Sequence, residues 1–130
     1  MRRLSALALV AVAAACGGAR AAPLPPGCHV GVYFRADATR AQIEAVRHRL
    51  ERNARVARVV FVSKVEALRI MKRRHPELTR ILKRNPFPDA LLVHPRTRDD
   101  YVPIVRSLGP RPAAVQAVLY PRFGPCAARR

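Results

Sequence analysis

Three cysteines and four histidines are the residues of this 130-residue chain best suited to chemistry, and their spacing limits what they can do. His29, His48, His75 and His94 fall on four different predicted elements. They form no i, i+4 pair, no Cys-x-x-Cys and no His-Glu-x-x-His, the patterns that gather zinc ligands locally. There is no glycine-rich phosphate loop and no Gly-x-Ser-x-Gly elbow, and Ser5, Ser63 and Ser107 fall in an apolar leader, a helix cap and a helix end. The adjacent Asp99-Asp100 reads as helix capping, not as an acid and base pair. The expectation is therefore a chain with no catalytic centre, metal, cofactor or small-molecule substrate. The chemistry left is that of Cys16, Cys28 and Cys126.

Cys16 lies behind a leader. Arg2 and Arg3 precede an apolar run, Leu4 to Ala15, too short for the roughly 20 residues of a membrane span and suited to the core of a signal peptide. Val12-Ala13-Ala14-Ala15-Cys16-Gly17 has the form of a lipobox, in which the cysteine becomes a lipid anchor, although Ala13 stands where leucine is usual. Cleavage after Ala19-Arg20-Ala21 is the alternative and would release the chain. The odd cysteine count favours acylation of Cys16, leaving Cys28 and Cys126 as a pair in an oxidising compartment. Residues 1–21 are thus read as a signal peptide and 22–27 as a Pro-rich linker. The domain spans 28–126, residues 127–130 form a tail, and the location is extracytoplasmic, membrane-tethered or secreted.

The net charge of +17 comes from 22 Arg and three Lys against eight acids. Charge of this size reports the sign of a partner, not its identity. Export argues against nucleic acid, as does the lack of an aromatic platform for base stacking. The densest basic cluster is Arg69, Lys72, Arg73, Arg74, Arg80, Lys83 and Arg84, so one reading is a surface for anionic wall polymer or anionic lipid.

These residues must be positioned by regular elements. His29 to Arg35 alternates, with Val30, Val32 and Phe34 on one face, as a half-buried strand does. Thr39 and Gln42 have capping-box spacing, and Ile43, Val46 and Leu50 give a helix over 40–53. Val56 to Ser63 reads as a second strand. Ser63 with Glu66 repeats the capping spacing and opens a helix that runs to His75. Pro76 then ends that helix and opens another over Glu77 to Arg84. Asn85-Pro86-Phe87-Pro88 is a rigid connector, and Ala90 to His94 is a third strand. If Asp100 is an N-cap, Pro103 lies in a first turn where its missing N–H costs nothing, so Tyr101 to Leu108 is helical up to Gly109-Pro110. Ala113 to Tyr120 is the fourth strand.

Two β-α-β halves flanking two helices predict an α+β fold. Its form is a ferredoxin-like split β-α-β sheet with four strands, two packed helices and a two-helix lobe inserted between strands 2 and 3. A doubly wound parallel sheet is the alternative, since element order does not fix strand order. In the split arrangement the strand order is 4-1-3-2, and the start of strand 1 lies beside the end of strand 4. That places Cys28 near Cys126 for a disulfide. Free thiols, or pairing of Cys126 between molecules, are the competing outcomes.

The Phe-Val-Ser-Lys-x-Glu-Ala-Leu pattern within Val56 to Leu68, the Pro-Glu-Leu that follows, and Asn85-Pro86-Phe87-Pro88 leading into a strand together resemble the extracellular domain of FtsX, a permease-like bacterial cell division protein. The resemblance covers residues 29–120. It implies an upper sheet lobe and a lower helical lobe that docks peptidoglycan hydrolases or their activators. That family relays an ATPase cycle through transmembrane helices, which this sequence does not contain, so the docking domain alone is implied. On the inserted helices Val65, Leu68, Ile70, Met71, Leu78, Ile81 and Leu82, with Phe87 beyond them, supply more apolar surface than two short helices can hide from water. They are the expected protein-binding residues.

Overall fold

The computed structural model describes residues 24–25 and 27–127. The signal peptide, Cys16, most of the linker and residues 128–130 lie outside the described residues. Local sequence rules set the elements. Strand β1 is Val30–Phe34, and helix α1, Arg40–Glu51, starts at a complete capping box. In it Gln42 N donates to Thr39 Oγ1 at 3.2 Å while Thr39 N donates to Gln42 Oε1 at 2.9 Å. Strand β2, Val56–Val62, leads into α2, Lys64–Arg74. Next come α3 (Pro76–Thr79), β3 (Ala90–Pro95), α4 (Tyr101–Ser107) and β4 (Val115–Leu119).

The strands form one four-stranded sheet in the order β2-β3-β1-β4. Every neighbouring pair is antiparallel. This is the split β-α-β order expected, and it excludes the doubly wound parallel alternative. Helices α1 and α4 cover one face. There Ile43, Val46 and Leu50 of α1, and Tyr101, Ile104 and Leu108 of α4 and its end, pack on Val30, Val32, Phe34, Val59, Leu91 and Val93. A disulfide joins Cys28 to Cys126 with Cα atoms 5.0 Å apart. Among the described residues, one continuous core joins all four strands with α1 and α4, and both bonded cysteines belong to it or pack on it. Among the described residues no helix is long and apolar enough to cross a membrane.

Two local expectations need correction, and a third holds in a different form. The helix expected over Glu77 to Arg84 ends at Thr79. His75 gives it no side-chain cap, and none of its residues is buried, so little tertiary packing sustains a segment too short to be stable alone. Glu66 does not close a capping box. Its backbone N–H donates to Ser63 Oγ at 3.1 Å, but its carboxylate pairs with Arg69 at 2.6 Å and Arg73 at 3.7 Å. Asp100 stands at the N-cap of α4 as expected, but its carboxylate serves the 3-10 turn Arg98–Asp100 that leads into α4, where it completes a capping box by accepting from Thr97 N at 3.0 Å; it also accepts from Thr97 Oγ1 at 2.9 Å and Arg55 at 2.9 Å.

Candidate functional site

The second face of the sheet carries the site. Alternation in β1 puts Gly31 and Tyr33 opposite the core side, and the register sets Leu92 beside Gly31 and Ala90 beside Tyr33. From β2, Val60 and Val62 pair with Leu92 and Ala90 and so share this face. The sheet therefore presents apolar residues on both sides, and Gly31 and Ala90 are buried although neither faces α1 or α4. Tyr33 folds its ring over Gly31 so closely that a Cβ there would lie 2.6 Å from Tyr33 Cε2. Glycine at 31 allows the close approach.

Helix α2 stands against part of this face and leaves a groove of about 470 Å³. Tyr33, Val62, Ala90 and Leu92 form its sheet wall, Ala67, Ile70 and Met71 its helix wall, and Phe87 and Pro88 close one end. Two long-range bonds fix the helix. Asp89, at the entry to β3, accepts from Lys64 N at 2.8 Å, and Asn85 Nδ2 donates to Lys64 O at 2.8 Å. The connector before β3 thereby holds the N-terminus of α2, and a carboxylate at that end also suits the helix dipole.

The structure divides the eight expected protein-binding residues. Ile70, Met71 and Phe87 line the groove together. Leu68 is half-buried. Val65, Leu78, Ile81 and Leu82 are exposed outside it. The sheet wall is the part that sequence reasoning missed. Of the basic cluster, Arg69 and Arg73 share Glu66, and Arg74 reaches the groove rim. Arg74, Lys72, Arg80, Lys83 and Arg84 make no ion pair among the described residues.

Histidines also reach the rim. His29 and His94 face each other across β1 and β3 with ring centroids 5.8 Å apart, and His75 lines the same groove. Burial lowers the pKa of His29, and burial, Arg58 and His29 lower that of His94. Among the described residues no group of three or more His, Cys, Asp or Glu is placed to hold a metal ion. The sign of the pH effect follows. The native state disfavours the imidazolium form, so the unfolded chain binds more protons as pH falls past the ordinary histidine value near 6.5. Stability present at neutral pH is lost below that value, down to the folded pKa values. Urea midpoints are expected to fall between about pH 7 and pH 5, and the His29→Phe, His94→Phe double variant should flatten this slope. Asp100 acts in a separate window. Burial pushes its carboxyl up, but hydrogen bonds from Thr97 and Arg55 outweigh this and hold it below the usual value, so its contribution is lost only in stronger acid.

The family model for the FtsX extracellular domain matches residues 27–122. Two solved structures from Streptococcus pneumoniae are similar in fold. One is the crystal structure of extracellular domain 1 of FtsX in complex with undecyl-maltoside, 21% identical, covering 76% of this chain and 98% of that one with a TM-score of 0.59. The other is the solution structure of the large extracellular loop of FtsX, 22% identical, covering 72% of this chain and 99% of that one with a TM-score of 0.60. No curated protein matches the chain.

Proposed function

Because the chain belongs to the FtsX extracellular domain family, we propose that it is a non-catalytic, extracytoplasmic docking module of bacterial cell division whose groove receives a peptidoglycan hydrolase or its activator. The observation that carries this reading is the groove itself. It is apolar on both walls, of a size that takes a few side chains, and pinned open at the N-terminus of α2 by Asp89 and Asn85. Grooves of this type bind the apolar stripe of a partner helix or loop. The Streptococcus domain was crystallised with undecyl-maltoside, a ligand with one apolar chain. That supports the view that this fold offers a surface to apolar groups. The apolar leader supports a location outside the membrane, with acylated Cys16 as the proposed tether and residues 22–27 as the spacer. Mass spectrometry of the mature N-terminus distinguishes this from release at Ala22.

Carboxylates in the helix wall should abolish docking without unfolding the domain, because Ile70 and Met71 are only partly buried. Capture of purified exported hydrolases and activators by the Ile70→Glu, Met71→Glu variant is expected to weaken by at least roughly 30-fold, the loss of one binding hot spot. Equal capture by a variant with an unchanged near-UV spectrum would remove the groove as the docking surface.

A further inference from the structure

The tip of the inserted lobe lies outside the groove and has a different character. Leu78, Ile81 and Leu82 are 51%, 76% and 37% exposed. Leu78 N donates to His75 O at 3.2 Å and Leu82 N to Thr79 O at 3.3 Å, so turn geometry continues past α3. The three residues fall within five positions at the end of α3 and the turn that follows it. Around them the charge is one-sided. Residues 69–84 contain seven basic residues and one acid, Glu77. That acid is 3.6 Å from His75, not from a lysine or arginine.

We propose that this tip docks on an anionic membrane surface, with Leu78, Ile81 and Leu82 entering the headgroup boundary and Arg80, Lys83 and Arg84 on its acidic lipids. Charge complementarity names the surface, since exposed aliphatic side chains beside lysine and arginine gain from an anionic bilayer both by burying methylenes and by meeting its negative surface. The exposed aliphatics choose between polyanions. A soluble wall polymer rewards the cations but gives three exposed aliphatic side chains nothing to enter. The site is separate from the groove and does not depend on the docking proposed there.

The test uses residues 24–130, which hold the core cluster of the described residues, both bonded cysteines and the whole stretch matched by the family model, and omit the apolar leader and Cys16. The probe is co-sedimentation with vesicles of 30% phosphatidylglycerol in phosphatidylcholine, against phosphatidylcholine alone. Binding is expected only to the anionic vesicles and should weaken as salt rises. Lys83→Ala with Arg84→Ala should cut partitioning by roughly tenfold or more. Leu78→Ser with Ile81→Ser should cut it by a similar factor, since both lose buried methylenes. These four residues are exposed, and unchanged urea midpoints confirm the variants are folded. No binding to anionic vesicles overturns the proposal. So does binding that the serine variant leaves intact, particularly if soluble polyphosphate competes it away, because the surface would then be a polymer site.

Discussion

Replacing Cys28 and Cys126 together with alanine is expected to lower the free energy of unfolding by about 4 to 5 kcal/mol, because their bond closes nearly the whole domain. The two residues are 98 positions apart. In the chain-entropy account a loop of that size restricts the unfolded ensemble by about 4.7 kcal/mol, against a total of roughly 5–15 kcal/mol for a typical domain. The topology makes the closure possible. β4 runs antiparallel to β1, with Leu119 opposite Gly31, so the chain leaving β4 returns to the entry of β1. Cys28 is 1% exposed within the core cluster, and Cys126 packs against that cluster. Urea denaturation with and without reductant is the measurement. Reduced wild type should converge on the double variant, and a shift below about 1 kcal/mol would mean the unfolded chain is already restricted by other means.

What the sequence made legible was local, or followed from symmetry between the two β-α-β halves. The capping box at Thr39 and Gln42 lies within four residues, and both of its bonds form. Strand order followed from the paired halves and led to the disulfide. The groove was only half legible. Period-two alternation identifies two faces of β1 and β3 but not that α2 covers part of the second. Spacing within the strands therefore does not identify Tyr33, Val62, Ala90 and Leu92 as one wall of a groove. The meeting of His29 and His94 depends on cross-strand register between segments 65 residues apart, which spacing within either strand cannot report. Asp89 is 25 residues from Lys64, the helix end it holds, and is likewise beyond the reach of local spacing. The overlong second helix of the lobe failed for the opposite reason. Propensity in 77–84 was sound, but no core lies beneath it to stabilise the final turns.

Tyr101 separates an aromatic ring from its hydroxyl. Its ring is fully buried at the start of α4 and lies 6.3 Å from that of Tyr120 at an interplanar angle of 22°. Its hydroxyl is buried with no hydrogen-bond partner among the described residues, and burial raises its pKa. An orphaned buried hydroxyl costs about 1 to 3 kcal/mol relative to water. Tyr101→Phe keeps the ring and removes that penalty, so the variant is expected to match or exceed wild-type stability, by up to about 2 kcal/mol. Tyr101→Ala removes the ring and leaves a cavity between α4 and the sheet, at a cost of about 3 to 5 kcal/mol. Urea denaturation of both variants measures the two contributions. Destabilisation by Tyr101→Phe of more than about 1 kcal/mol would show that the hydroxyl holds a buried water. Because α4 covers the sheet face opposite the groove, Tyr101→Phe should leave partner capture unchanged.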